Sequence, residues 1–195
     1  AHRHIVFNLS EKARDEAWTW LRQKGLSEQR VVAIHPNAGA VLKSWPIDRW
    51  AAVADGLDQP VVLTGAPGDA GILQGIAQRA SSALTIACGQ SIATSAALYE
   101  RCAVVVATDS GAAHLAGAMG TPTVRLYGPA STNVYGPWPA STDQIVLSEK
   151  GLACVPCGHM VDPPCGARDL PACMLAHSAE DVIRAAKSVL ARTEN

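Results

Sequence analysis

The chain has 195 residues, 48% of them hydrophobic, and its 16 basic and 17 acidic side chains leave a formal charge of −1. That is ample apolar material for one large domain or two small ones, and it excludes a largely disordered chain. The basic residues are scattered, which excludes the electrostatic footprint of a nucleic-acid or anionic-membrane binder but leaves a small anion within reach of local dipoles and a lysine. No apolar run approaches the roughly 18 residues of a spanning helix, and "AHRHIVFNLS" lacks the layout of a secretory signal, so the chain reads as soluble.

In chain order, Ser10 caps a first helix whose Ala13, Ala17, Trp20 and Leu21 share a face and which Gly25 stops. Six short runs then read as strands: Val31–His35, Pro60–Thr64, Ala83–Ala87, Ala103–Thr108, Pro122–Tyr127 and Gln144–Ser148. Most are apolar throughout, as strands covered on both faces are. Helix-like segments lie between the first five, at Ile47–Leu57, Ala70–Ala80, Ile92–Arg101 and Ala112–Met119. This alternation predicts an α/β domain with a doubly wound, Rossmann-like, mostly parallel sheet. Gly128–His177, rich in Pro, Gly and Cys, reads mostly as ordered loop around one strand. A last helix opens with Ser178 three residues before Asp181, with Val182, Ile183, Ala186, Val189 and Leu190 on one stripe.

Ligands of such sheets bind at the carboxyl ends of the strands, so the chemistry is sought there. After the first strand comes "HPNAGAVLKSWP", with Asn37, Gly39 and Lys43; the second ends in Thr64 and Gly65 and runs through "GAPGD" to Asp69; the fourth is followed by "DSGAAH", Asp109 to His114. Ser110 and Gly111 fall in the first turn of a helix, where free N–H groups and the dipole favour a phosphate. Lys43 can neutralise the same diphosphate as a point charge. Two carboxylates beside two anions would be repelled, so Asp109 and Asp69 are expected to accept from hydroxyls, of a sugar and a ribose respectively, with His114 as a further donor. Each residue also has a plainer reading: Asp109 as an N-cap, Lys43 as a solvated loop lysine, Asp69 as the cap of the next helix, His114 as a satisfied core histidine. Co-location at several strand ends of one sheet favours the functional reading.

The ordered set "HPNAGAVLKSWP", "LTGAPGD", "ATDSGAAHLAGAMGTPTVRLYGPAS" and the late "CVPC" cysteines resembles the carboxyl-terminal half of glycosyltransferase family 9, the heptosyltransferases of lipopolysaccharide core assembly, over roughly Val31 to Arg192. The resemblance implies one half of a two-Rossmann, inverting glycosyltransferase. Lys43 takes the phosphate-contacting, catalytic role, Asp69 the ribose acid, Asp109 the sugar-contacting acid, Ser110 and Gly111 the diphosphate amides, and His114 the helix histidine. The ribose acid of the family is often Glu, so the shorter Asp69 implies a longer or water-mediated contact.

The same resemblance implies an ADP-heptose donor, a lipopolysaccharide core acceptor held by an amino-terminal domain, no cofactor beyond the nucleotide sugar, and a cytoplasmic location, with a peripheral position at the inner face of the inner membrane left open. Residues 1–30 then read as a linking helix from that earlier domain and 31–195 as the nucleotide-sugar domain. The general base that deprotonates the acceptor is expected in the earlier domain, since nothing before Val31 is long enough to supply it, and exposed apolar surface is expected where that domain docks. A sugar-nucleotide epimerase and a non-catalytic nucleotide-binding module are the alternatives of similar architecture.

Six cysteines complete the inventory. Cys88 and Cys102 stand alone as small buried hydrophobes. Cys154, Cys157, Cys165 and Cys173 have the spacing C-x2-C-x7-C-x7-C, compatible with a structural tetrahedral zinc, with His159 as a substitute ligand; reduced thiols or disulfides are the alternatives.

Overall fold

The computed structural model describes Ile5 and residues 7–138, 140–149 and 151–192. Helix α1 (Glu11–Gln23) begins where Ser10 Oγ accepts from the Ala13 N–H at 3.2 Å. It ends in a Schellman motif: Gly25, at φ 70°, lets its N–H reach the Arg22 carbonyl while Leu26 N–H reaches Leu21. Ala13, Ala17 and Leu21 are buried and Trp20 only half so.

The sheet has six strands, β1 (Val31–His35), β2 (Val61–Gly65), β3 (Thr85–Cys88), β4 (Cys102–Thr108), β5 (Thr123–Tyr127) and β6 (Gln144–Ser148), in the order β3-β2-β1-β4-β5-β6. Every pairing is parallel. Helices α2 (Ile47–Asp55), α3 (Ala70–Arg79), α4 (Ile92–Glu100) and α5 (Gly111–Ala118) make the crossovers. Strand pleating divides the apolar residues: Val32, Ile34, Val104 and Val106 face a core shared with α2, α3 and the last helix, while Val31, Ala33 and Val105 face α1, α4 and α5. Both faces being covered is why these strands lack a polar alternation.

Strand ends depart from the sequence reading for local reasons. Pro60 lends only its carbonyl, to Val32 N–H at 2.9 Å, so β2 starts one residue later. Ser81 and Ser82 donate their N–H groups to the Asp55 carboxylate at 2.9 and 2.8 Å, which delays β3 to Thr85. The segment from Gly128 to His177 holds β6 and also two single turns of helix, α6 (Thr132–Tyr135) and α7 (Ala172–Leu175), that its Pro-Gly content concealed. Helix α8 (Ala179–Arg192) opens with Ser178 Oγ accepting from Asp181 N–H at 3.1 Å and buries Val182, Ala186, Val189 and Leu190, with Ile183 packed at the margin. No helix among the described residues is long and apolar enough to cross a membrane.

Candidate functional site

Strand order reverses between β1 and β4, and the crevice of such a sheet opens above that point. A chamber of about 520 Å³ lies there, walled by Asn37, Ala38 and Gly39 after β1, by Gly65, Ala66 and Asp69 after β2, and by Ser110 to Ala112 after β4. A Cβ added at Gly39 or Gly111 would meet no protein atom within 4 Å, so both backbones stand open to a ligand. Ser110 is the N-cap residue of α5, yet its side chain caps nothing and its buried Oγ has no partner. The first amides of α5 and this hydroxyl therefore form an uncommitted donor group at the positive end of a helix dipole.

Asp69 is buried in the chamber wall. Its Oδ2 accepts from Ala66 N–H at 2.7 Å, and Asn37 Nδ2 donates to its Oδ1. It does not cap α3 through its side chain. Gly65 makes this fold-back feasible, because a Cβ there would lie 2.8 Å from Asp69 Cβ. Each carboxylate oxygen retains a lone-pair site for a further donor.

Next to the chamber, joined to it through Ser110, is a charged ledge. Lys43 Nζ forms a 2.6 Å ion pair with Asp109 Oδ2 and donates to the Asp109 carbonyl at 3.3 Å; the side chains are 19% and 4% exposed. His114 Nε2 stands 3.7 Å from the other carboxylate oxygen. Burial pushes the Asp109 carboxyl up, but His114 and Lys43 together outweigh it and hold it below the ordinary carboxylate value. Asp109 is thus not an N-cap, and Lys43 is not a solvated loop residue. Trp45 explains the latter: it is buried edge-on against Trp50, donates its Nε1–H to the His177 carbonyl at 3.2 Å, and so ties the lysine loop to the body of the domain. Tyr135, exposed at the end of α6, has its ring 6.0 Å from Lys43 Nζ.

Thr64 is a correction to the sequence expectation. Its hydroxyl is buried behind the chamber wall, 3.0 Å from both His35 Nδ1 and Tyr99 OH, and it supports those two residues instead of reaching a ligand. Desolvation lowers the His35 pKa, partly countered by Asp69, and desolvation pushes the Tyr99 phenol up to about 12 despite the Thr64 bond. His35, Ile92, Ser95, Tyr99 and Leu115 all line the chamber and escaped the sequence reading. Helical spacing was the available signal: Ile92, Ser95 and Tyr99 fall on one face of α4, and the chamber is closed by that face.

The cysteines divide differently from expectation as well. Cys102 is buried and its thiol pushed up to about 12 by desolvation, but Cys88 is half-buried and donates to the Ala66 carbonyl. Cys154 and Cys165 are exposed, Cys157 half-buried and Cys173 buried, all four free, and His159 faces solvent. Among the described residues no three His, Cys, Asp or Glu side chains stand in a metal-holding arrangement, while burial and the neighbouring Cys157 and Cys154 push the Cys173 thiol up.

The strand order and the crevice at its reversal point define a Rossmann-like α/β domain. The profile of glycosyltransferase family 9 (heptosyltransferase) matches residues 3–164, and the chain belongs to that family. It is 30% identical over 117 residues to lipopolysaccharide heptosyltransferase 3 of Escherichia coli, covering 56% of this chain and 34% of that protein. Among solved structures, the family 9 glycosyl transferase of Veillonella parvula superposes with a TM-score of 0.80 at 26% identity, over 96% of this chain and 54% of that one. The ADP-heptose lipopolysaccharide heptosyltransferase II of Escherichia coli shares the fold, with a TM-score of 0.78 at 22% identity over 97% of this chain and 54% of that one. The chain thus spans about a third of the curated relative and about half of each solved chain.

Proposed function

We propose that this chain is the donor-binding half of an inverting glycosyltransferase that takes heptose from ADP-heptose and passes it to a lipopolysaccharide core acceptor. The observation that carries the reading is the continuous sequence of surfaces along the crevice: an apolar chamber with a buried acid, then an open helix N-terminus, then a lysine–aspartate ledge. Those surfaces suit, in order, a nucleoside, a diphosphate and a hydroxylated sugar. The similarity to heptosyltransferases of lipopolysaccharide supports this choice of sugar and acceptor.

In this reading Asp69 accepts from the ribose hydroxyls, while Gly39, Ser110 and Gly111 offer backbone donors to the diphosphate. Lys43 exchanges Asp109 for phosphate when the donor arrives, which frees the Asp109 carboxylate for sugar hydroxyls. The acceptor hydroxyl oxygen attacks the anomeric carbon as the bond from that carbon to the phosphate oxygen breaks. Lys43 and the α5 dipole stabilise the charge that develops on the departing diphosphate. The hydroxyl proton goes to a base in an amino-terminal domain that also holds the acceptor; helix α1, whose Ala13, Ala17 and Leu21 pack in one core with Val31, Ala33 and Val105, belongs to the donor domain and is not a linker. Val41, in the lysine turn, and Tyr135, whose ring lies near Lys43, are exposed beside the ledge and are the surface on which the amino-terminal domain would rest. A cytoplasmic location belongs to the same proposal.

Calorimetric titration with ADP, UDP and ADP-heptose in metal-free buffer tests it. Preferential binding of ADP and ADP-heptose is expected. A preference for UDP, or no binding of any of the three, would overturn it.

A further inference from the structure

A buried arginine lies behind the ledge. Arg125, the middle residue of β5, is 1% exposed, and three neutral groups face its nitrogens: Nε donates to Thr123 Oγ1 at 2.9 Å, Nη2 to Gln144 Oε1 at 2.8 Å, and Nη1 lies 3.3 Å from His114 Nδ1, with Tyr127 and the Asp109 charge also acting on it. Gln144 is itself fixed, donating to the Thr121 carbonyl at 3.0 Å while its oxygen accepts from the Thr123 hydroxyl at 2.7 Å. Helix α5 is adapted to the same group. A Cβ on Gly117 would stand 2.5 Å from Arg125 Nη2, so a helix-weakening residue is kept where the guanidinium needs the space.

We infer that Arg125 is a positioning residue that acts through His114. A guanidinium has donors only. In the Nη1 contact, His114 Nδ1 must therefore be the acceptor, and the ring proton resides on Nε2. That nitrogen is turned toward Asp109 Oδ1, on a side chain 38% exposed at the edge of the ledge, next to the Lys43–Asp109 pair. Arg125 thereby makes His114 a donor aimed at the ledge and prevents it from presenting a bare nitrogen to an incoming anion. The ligand of that donor, a diphosphate or sugar hydroxyl, rests on the donor-binding reading; the tautomer does not.

Long-range 1H–15N correlation spectra of the histidine rings test the inference on the full chain, with R125M and R125K beside the wild type. His114 is expected to carry its proton on Nε2 in the wild type and in R125K, which keeps a donor, and to become a mixture of both tautomers in R125M. Affinity for inorganic pyrophosphate should fall about twofold in R125M, in proportion to the fraction of rings that keep the proton on Nε2, and recover in R125K. A wild-type proton on Nδ1, or a folded R125M with an unchanged tautomer, overturns the inference; the wild-type spectrum applies even where R125M does not fold. ADP added to the same samples separates the two readings. The expected tautomers without ADP binding would sink the proposed function alone, and ADP binding with the wrong tautomer would sink the role of Arg125 alone.

Discussion

Replacing Asp109 by Asn tests the ledge most directly, because the substitution keeps shape and removes one charge. The carboxylate is 4% exposed and held at 2.6 Å by Lys43. Removing one member of a buried pair costs about 3–5 kcal/mol, since the other is left uncompensated. Lys43, still 19% exposed, recovers part of its hydration, which puts the expected loss at the low end, about 3 kcal/mol. For a chain of this size that lowers Tm by about 6–12 °C. Ligand binding should move in two directions. ADP-heptose loses a charged acceptor for its hydroxyls and should bind about 10- to 100-fold more weakly, whereas ADP should bind no worse, because Lys43 no longer has to leave an aspartate and a repulsive charge is gone. Differential scanning fluorimetry and calorimetry of one preparation give both numbers. Equal losses for ADP and ADP-heptose, or a Tm shift below about 2 °C, would refute the reasoning.

Glycine positions give a paired test: Gly117→Ala should destabilise by about 1–3 kcal/mol through its 2.5 Å clash with Arg125. Gly75→Ala in α3, where the nearest atom is an ordinary 3.5 Å away, should gain about 0.5–1 kcal/mol; urea denaturation of both is the check, and matching signs would count against the packing argument. His35 titrates below its usual value because burial disfavours its charged form. The unfolded chain therefore binds more protons than the folded one just below the ordinary histidine pKa, and stability should fall as pH drops from about 6.5. Urea melts across that range should lose part of this slope in His35→Gln, and an unaltered slope would rule the residue out as its source. Asp69→Ala should weaken ADP about tenfold or more while leaving pyrophosphate binding nearly unchanged, as measured by calorimetry; a parallel loss for pyrophosphate would move Asp69 away from the ribose.

The fold was legible because its signals are local and mutually consistent. Five apolar runs alternate with helical segments, and a parallel doubly wound sheet covers such strands on both faces. Val31–His35 and Gln144–Ser148 were read to the residue. What the sequence could not carry was pairing at a distance. Nothing in "VLKSWP" says that Trp45 will bind the His177 carbonyl 132 positions away, so Lys43 looked equally like a solvated residue. Nothing in "GAPGD" says that Asn37 will reach Asp69. Arg125 was hidden for a related reason: one charge in the apolar run "PTVRLY" did not prevent reading it as a strand, and its three acceptors come from β5, β6 and α5.

These distant pairings also answer how a chain of net charge −1 can offer a site to a dianion. Around the crevice the carboxylates of Asp69 and Asp109 are matched by Lys43 and Arg125, so the local dipoles decide the sign. Asp109 is opposed by Lys43 in contact and by Arg125 one imidazole away, and the α5 N-terminus adds partial positive charge on the same side. Burying Arg125 without an anionic partner is unfavourable by itself, yet it sets a positive field that no solvent ion can approach closely enough to screen. Desolvation accordingly lowers the Arg125 pKa, while the Tyr127 phenol, deprotonated only against burial and the Asp109 charge, is pushed up to about 12 and stays neutral. The ion pair at 2.6 Å then acts as a stand-in for the ligand. It keeps Lys43 and Asp109 paired when the crevice is empty, and on the proposed reading a nucleotide diphosphate sugar would supply each with a better partner at once, an anion for the lysine and hydroxyls for the aspartate. A bare sugar would supply only the second and a bare phosphate only the first, so on that reading the pair would discriminate for the conjugate over either fragment.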